Sequence, residues 1–420
     1  MVLTLFLVFF VLLIIGVPVA FALGIGSCVS LLVEGSVPLM VVAQKMYSGL
    51  NNFSFMAIPL FLIAGNIMAE AKISDKLIAL ADLCVGRFIG GLADICTAAS
   101  AFFGAISGSA PATTAAIGSL MIPSMEKHKY NKEYSSAVVA ASGVLGLIIP
   151  PSLTMVVYGV TAGVSIGRLF ANGFVPGIIL CFILFYLNYY IAKKEGIPRN
   201  LTKYSKEDKK VIIKDSLIAL MMPVIILGGI YSGVFTATES ASIACLYGVV
   251  VGVFVYHTIN LKVLFKIFRN SVENVAMIFT LMATASIFGF ILAKEQVPQK
   301  LAMSLLALTD NTYIIMLILL VSLLVLGTFL DNVGALVLIT PTIVQIANSA
   351  GIDLIYLGVF MIIALAVGQI TPPVGLNLFV VVNISNSKFE KVVQRIIPYI
   401  GAYILALVLF VIFPKLLCIF

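Results

Sequence analysis

A succession of long, continuous apolar runs constrains this chain more than any other feature. They lie near Leu3–Val33, Phe53–Met68, Ser135–Tyr158, Ile178–Ala192, Leu217–Tyr231, Ala241–Tyr256, Val275–Leu292, Tyr313–Phe329, Ile355–Val367 and Ile397–Phe413. A hydrocarbon layer ~30 Å thick takes about 20 apolar residues per helical span. Inside it every backbone polar group must find its partner within the segment, which leaves only helices and closed barrels. Barrel strands alternate over ~10-residue segments, and these runs do not alternate. Composition agrees: 61% of the 420 residues are hydrophobic and 10% are charged, against roughly 25% charged in soluble domains. The expected fold class is therefore an all-α polytopic membrane protein.

The net charge of +7 is spread along the polar segments with no dense Arg-rich arm, so it reports topology rather than nucleic-acid binding. Cys28, Cys84, Cys96, Cys181, Cys245 and Cys418 stand singly with no CxxC spacing. They read as small hydrophobes, not as a disulfide framework or a metal site. Ala20-Phe21-Ala22 has the form of a signal-peptidase site, yet no Lys or Arg precedes Lys45 and apolar sequence continues beyond it. A retained span is expected there.

The most polar stretch, 193–214, holds Lys193, Lys194, Arg199, Lys203, Lys206, Lys209, Lys210 and Lys214. It separates residues 1–192 from residues 215–420, and the two parts match. The chain has two Pro-Pro pairs, Pro150-Pro151 and Pro372-Pro373, preceded at the same spacings by Gly146 and Ile148 and by Gly368 and Ile370. Leu120-Met121-Ile122-Pro123 corresponds to Leu338-Ile339-Thr340-Pro341, and Ala69 through Leu77 to Ala293 through Leu301, at nearly the same offset. Three matches in one order indicate an internal duplication, a common build for transporters.

Charge gives the halves their orientation. Asp75–Phe88 and Gln299–Thr309 are read as amphipathic helices along the interface, and Leu3–Val33 as two short spans bent at Gly16-Val17-Pro18. Then Lys72, Lys76, Arg87, Lys127, Lys129, Lys132, the central basic loop, Lys262, Lys266, Arg269, Lys388, Lys391 and Arg395 share one side. Lys45, Arg168, Lys294, Lys300 and Lys415 fall opposite. The first side is cytoplasmic by the positive-inside rule, and the same trace makes the halves inverted repeats.

Two kinds of segment break the pattern of a spanning helix. Leu92–Ser107 and Pro111–Glu126 are about 16 residues each, roughly 24 Å as helix, too short to cross. The polar stretch Ser107-Gly108-Ser109-Ala110-Pro111-Ala112-Thr113-Thr114 joins them. A re-entrant hairpin over about 92–126 is expected, with its tip near mid-membrane. Its counterpart over about 315–347 has Thr328, Asp331 and Asn332 at the tip. The Pro-Pro pairs make the second break, over about 135–165 and 355–386, because proline removes an amide donor and disrupts the preceding turn. Carbonyls around Gly146, Ile149, Gly368 and Thr371 are thereby released toward a hard cation such as Na⁺. Helix N-termini at the tips favour an anionic group. Asp331, an ionisable residue in an apolar region, reads as a functional acid or as the N-cap of the second hairpin helix. Glu239, after Thr236-Ala237-Thr238, reads as a cap at an outer interface, and His128 and His257 sit in polar ends without assigned chemistry.

The run Ser107-Gly-Ser-Ala-Pro-Ala-Thr-Thr-Ala-Ala-Ile-Gly-Ser-Leu-Met-Ile-Pro-Ser-Met125 resembles the large membrane (M, DctM-like) subunit of tripartite ATP-independent periplasmic (TRAP) transporters. So do Ile149-Pro-Pro-Ser152, Gly233-Val-Phe-Thr-Ala-Thr-Glu239, Gln369-Ile-Thr-Pro-Pro-Val-Gly375 and Gly16-Val-Pro-Val-Ala-Phe21, and the likeness covers essentially the whole chain. The resemblance implies a Na⁺-coupled symporter of small organic acids in the bacterial inner membrane. It implies an elevator, in which a transport domain carrying both hairpins slides against a scaffold. It further implies two partners, a small four-span membrane subunit (Q-type) and a soluble periplasmic substrate-binding protein (P-type). Carried over by motif, one Na⁺ site takes Ser107, Ser109, Gly146, Ile149 and Pro150. The other takes Gly327, Gly368, Thr371 and Val374. Substrate contacts are expected from Thr113, Thr114, Asn332 and Asn377. Ala237 stands where the family often has proline, which touches only a local helix start. The tip residues are generic hydroxyls and amides, compatible with C4-dicarboxylates, sialic acid and other small carboxylates.

Competing classes are weaker. An intramembrane enzyme needs a nucleophile–base pair or metal ligands at depth, and neither HExxH nor GxSxG is present. Duplicated closed hairpins suit alternating access better than a channel. A stand-alone Na⁺–dicarboxylate symporter of the same general architecture is the alternative within transporters.

Overall fold

The computed structural model describes residues 1–71, 73–197 and 204–417; Lys72, Arg199 and Lys203 of the basic face, and Cys418, lie outside the described residues. Among the described residues all regular structure is helical. The first half comprises α1 (Val2–Ile14), α2 (Val19–Glu34), α3 (Met40–Leu50), α4 (Ala57–Glu70), α5 (Ile73–Val85), α6 (Gly91–Ser107), α7 (Ala110–Lys127), α8 (Lys132–Gly143), α9 (Leu145–Ile148), α10 (Leu153–Ala162) and α11 (Ile166–Lys194). The second comprises α12 (Lys206–Tyr231), α13 (Ala237–Val250, extended by a π-helical turn), α14 (Leu261–Lys294), α15 (Val297–Leu308), α16 (Thr312–Phe329), α17 (Asn332–Ser349), α18 (Leu354–Gly368), α19 (Leu376–Ser385) and α20 (Phe389–Ile412). Among the described residues eight helices are long and apolar enough to cross a membrane, and the bent pair Lys132–Ile148 and Leu153–Ala162, at 42°, raises this to nine. The chain is a multi-pass membrane protein.

Helix starts follow capping chemistry. Side chains of Ser109, Asn131, Ser165, Asn260, Asn311 and Asp353 each accept from an amide in the first turn that follows. Ser205 with Asp208, and Thr236 with Glu239, form reciprocal capping boxes. Glu239 is thus a cap, as its position after Thr236 suggested. At Gly16-Val17-Pro18 the chain turns back: Ser30 Oγ donates to the Met1 carbonyl at 2.8 Å, so the start of α1 meets the end of α2. α5 and α15, with 13 and 12 residues, are too short to span. Lys76 of α5 is held 2.6 Å from Asp215 of α12.

The helices gather into two bodies. α6–α11 pack with α16–α20 around α8 and α18, and every residue of α18 from Ile355 to Gly368 is buried. Around this bundle lie α1–α5 and α12–α15, where α14 packs on α2, α3 and α4 and α13 packs on α4 and α12. They meet mainly where α5 and α4 touch α6 and where α14 and α15 touch α17. In lipid, burial gives helices no hydrophobic advantage over the surrounding acyl chains. Close van der Waals packing through small residues holds them instead. Two such contacts are near-repeats of each other. A Cβ on Gly104 of α6 would lie 2.6 Å from Gly146 Cα, and one on Gly368 of α18 would lie 2.3 Å from the Gly327 carbonyl carbon of α16. Each hairpin's first helix therefore crosses, backbone on backbone, the helix that leads into a Pro-Pro pair. The hairpins differ otherwise: α6 and α7 pack along each other, whereas α16 and α17 splay, α16 onto α18 and α17 onto α10 and α15.

Candidate functional site

Proline chemistry accounts for the centre of the bundle. In a helix the carbonyls of Gly146 and Leu147 would take the amides of residues 150 and 151, and both are proline. Both Pro-Pro bonds are cis. The Leu147 carbonyl is recovered by Ser152 Oγ at 2.6 Å, with Thr154 Oγ1 at 3.4 Å. Gly146 has no amide at the helical position. In the second half the displaced carbonyls are retaken by backbone: Gly368 by the Thr371 amide at 3.1 Å and Gln369 by the Asn377 amide at 3.0 Å. Thr371 Oγ1 donates to the Val367 carbonyl at 2.8 Å. Val374 lies in the turn between Pro373 and Gly375, next to α19.

The first hairpin tip closes on this break. Thr113 Oγ1 donates to the Ser109 carbonyl at 2.7 Å and lies 2.9 Å from Ser107 Oγ. A Cβ on Gly146 would come 2.5 Å from Thr113 Oγ1 and 2.8 Å from the Ser109 carbonyl oxygen. Two hydroxyls, the Ser109 carbonyl and the backbone of Gly146 thus form a compact oxygen cluster, a donor set that suits a hard cation. Ile149 and Pro150 pack behind it against Gly177 and Gly173 of α11. The matching place in the second half is the Gly327–Gly368 crossing. There Gly327, in the last turn of α16, has one of the carbonyls a helix end leaves without an internal partner.

Between the two tips lies a cavity of about 280 Å³, near the lower end of the range for small-ligand sites. Ser107, Gly108, Ser109 and Ala112 of the first tip line it, with Asp331, Asn332 and Val333 of the second. Leu147, Pro151, Thr154 and Gln369 of the broken helices complete the bundle side. The opposite wall comes from the outer body, through Phe61, Gly65 and Asn66 of α4 and Asn274 and Met277 of α14. Among the described residues Asp331 is the one charged side chain on this wall. It is also the N-cap of α17, taking the Val333 amide at 3.1 Å, so the cap reading holds. The side chains of Asn332 and Gln369 are each 1% exposed. Neither Asn332 Nδ2 nor Oδ1 has a hydrogen-bond partner, and Gln369 Oε1 has none. A buried unpaired amide costs about 1–3 kcal/mol, a cost that a polar group in the cavity would recover.

The structure brings Ser107, Ser109, Asp331 and Asn332 to the cavity. Thr113, Thr114 and Asn377 do not line it. Thr113 belongs to the oxygen cluster. Thr114 is buried against Gly143 of α8 with Oγ1 unpartnered. Asn377 donates to the Ala140 carbonyl at 3.3 Å, with its own Oδ1 unpartnered. Sequence reasoning passed over Asn66, Asn274 and Gln369. A lone amide inside the apolar helix α4 is the signal that marks Asn66, since polar groups at membrane depth are there for a reason, whereas Asn274 follows Glu273 in a polar turn of α14 and Gln369 caps α18 beside the Pro-Pro break.

One prediction arises directly. Asn332→Leu replaces an unsatisfied amide by an apolar side chain of similar size. The variant should melt at or above the parent temperature in detergent and lose uptake in liposomes. A drop in melting temperature would show that the amide is satisfied in the resting protein.

Comparisons with known proteins converge. The family "Tripartite ATP-independent periplasmic transporter, DctM component" matches residues 6–416. The isethionate TRAP transporter permease protein DctMQ of Oleidesulfovibrio alaskensis is 39% identical over 94% of this chain, which spans 62% of that protein's length. The sialic acid TRAP transporter large permease SiaM of Vibrio cholerae is 35% identical, covering 95% of this chain and 93% of the relative. The C4-dicarboxylate large permease DctM of the same organism is 35% identical, covering 96% and 94%. Among solved structures, the YdaH transporter of Alcanivorax borkumensis aligns with a TM-score of 0.69 at 14% identity, over 90% of each chain. MtrF of Neisseria gonorrhoeae aligns with 0.58 at 12% identity, over 91% of this chain and 83% of that one. These two likenesses concern the fold. With the matched family spanning nearly the whole chain, both hairpins and both broken helices included, the protein belongs to the DctM, or large membrane component, family of tripartite ATP-independent periplasmic transporters.

Proposed function

We propose that this chain carries a small organic acid across the bacterial inner membrane by Na⁺-coupled symport. The observation that carries the reading is the cavity between the hairpin tips, with the unpartnered Asn332 amide and Gln369 Oε1 on its wall and the Ser107–Thr113–Ser109 oxygen cluster beside it. Isethionate, sialic acid and C4-dicarboxylates, named for relatives, are all small organic anions. Coupling then has a physical cause. An anion entering a cavity whose one charged side chain is Asp331 meets repulsion at short range. Co-bound cations in the two cradles offset it, so each ligand raises the affinity of the other by the same factor. Ser107, Ser109, Gly146, Ile149 and Pro150 hold one Na⁺, and Gly327, Gly368, Thr371 and Val374 the other. Amides of Asn332 and the first turn of α7 receive the acid.

The halves act as inverted repeats in this reading. The bundle of α6–α11 and α16–α20 moves as an elevator against the outer body, carrying the site past the walls of α4 and α14. A four-span subunit and a periplasmic binding protein complete the system, the latter delivering the substrate.

The test is uptake of labelled organic acids into liposomes under an inward Na⁺ gradient, with and without the cognate binding protein. Uptake should need both, and Ser107→Ala should raise the Na⁺ concentration for half-maximal rate at least ~5-fold. Uptake independent of the binding protein would favour the stand-alone symporter. No uptake of any acid by folded protein under any gradient would overturn Na⁺ coupling.

A further inference from the structure

A second cleft lies at the other end of the bundle from the basic loop. α11 runs from Ile166 to Lys194, so Arg168 in its first turn and Lys193 at its end are roughly 38 Å apart at the helical rise. α12 returns from Lys206 to Tyr231. The cleft, about 600 Å³, opens between the start of α11, the end of α12, the start of α13 and the segment before α4. It therefore bridges the inner bundle and the outer body. Its side chains include Phe53, Tyr231 and Phe235, the hydroxyls of Ser54, Ser165, Thr236 and Thr238, and Arg168.

Arg168 is the one charged residue on this wall. Its guanidinium is exposed and has no ion-pair partner among the described residues. Of the other basic groups assigned to this side, Lys45 lies over the Phe290 ring, Lys294 donates to Ser36 and Lys300 donates to the Glu295 carbonyl, while Lys415 sits in the short turn Pro414–Leu416, away from the cleft. Glu239, at the start of α13, directs its carboxylate to the Thr236 amide and hydroxyl. A planar, permanently charged fork beside hydroxyls and aromatic faces is built for a carboxylate or sulfonate. The central cavity offers the reverse polarity, one acid and no base. The two clefts are complementary, one able to attract an anion and the other able to hold it only with cations.

We infer that the Arg168 cleft is an outer capture site for the transported organic anion, occupied before the central cavity. This rests on the transport reading above. Because the cleft spans both bodies, an anion in it touches the elevator and its support together, and its release toward the central cavity accompanies their relative movement. Arg168 sets how readily dilute substrate is taken, not how fast the loaded carrier turns over.

The chain has no tryptophan, so Phe53→Trp places a single fluorescent reporter at the cleft. In purified protein without any binding protein, its emission is titrated with succinate, N-acetylneuraminate and isethionate. The anion that liposomes take up should shift the emission. Arg168→Ala should weaken that response at least ~10-fold and Arg168→Lys by less. The response should persist in Asn332→Leu, whose central cavity is altered. In uptake, Arg168→Ala should raise the half-saturating substrate concentration with the maximal rate retained. An emission that responds to none of the three anions, or responds equally in Arg168→Ala, overturns the proposal. So does an Arg168→Ala uptake defect that excess binding protein overcomes while the anion-induced emission shift stays parental, which would assign Arg168 to protein docking. Absence of uptake by the unsubstituted chain, with the emission response intact in Phe53→Trp, would count against the transport reading and leave the cleft standing as an anion site.

Discussion

Replacing Gly368 by alanine is expected to cut Na⁺-driven uptake to below about a tenth and to lower the melting temperature in detergent. The added Cβ would lie 2.3 Å from the Gly327 carbonyl carbon, 2.5 Å from its Cα and 2.6 Å from its oxygen. Carbon atoms rest at about 3.5–4.0 Å, so α16 and α18 must part by about 1 Å or more. Overpacking typically costs 1–3 kcal/mol when side chains can adjust. Here both surfaces are backbone within buried helices, which places the cost at the upper end of that range or above it. The displacement also moves the Gly327 carbonyl, a proposed cation ligand.

Gly146→Ala should behave alike for a related reason, its Cβ falling 2.5 Å from Thr113 Oγ1 inside the first oxygen cluster. Gly289→Ala in α14 is the control. Nothing lies within 4 Å of its Cβ, and alanine in a helix is favoured over glycine by roughly 0.5–1 kcal/mol. It should be neutral or slightly stabilising. Parental uptake in Gly368→Ala would mean that the α16–α18 spacing is not part of the working site.

Such contacts mark the boundary of what the sequence discloses. The Pro-Pro pairs could be read directly, because the loss of an amide is a covalent property of the residue and its effect falls on a carbonyl four positions earlier. Which carbonyls stay exposed could not be read that way. Leu147 is retaken by Ser152 and Gln369 by Asn377, a matter of how the chain returns after the break. The importance of Gly104 emerges only with its partner Gly146 in view, since a missing side chain has no meaning until something occupies the space. Thr113 is a different case. Its hydroxyl turns back to the carbonyl four residues earlier, as threonine in a helix commonly does, so local chemistry already argued against a free ligand-facing group. Asn66 and Asn274 come from helices that belong to the opposing body, and only the three-dimensional packing sets them across from Asn332.

Asp331→Asn separates the two roles that the structure gives to one side chain. Asparagine is as good an N-cap as aspartate, so the amide oxygen can still take the Val333 amide and the melting temperature should hold within about 0.5 kcal/mol of parental stability. Asp331→Ala removes cap and charge together and should lose about 1 kcal/mol. Uptake should fall at least ~10-fold in both. A carboxylate attracts a nearby cation more strongly at partly shielded protein sites than in water, which favours Na⁺ binding from dilute solution. The same carboxylate also neutralises the positive end of α17, which would otherwise attract the anion directly. Removing the charge therefore has opposite effects on the two ligands: the anion binds more readily in the absence of Na⁺, and Na⁺ adds less when it arrives. Anion affinity measured with and without Na⁺ should differ less in Asp331→Asn than in the parent. If the ratio is unchanged and uptake is normal, Asp331 is a cap alone, and the coupling must reside in the oxygens of the hairpin tips and broken helices that form the two proposed cation sites.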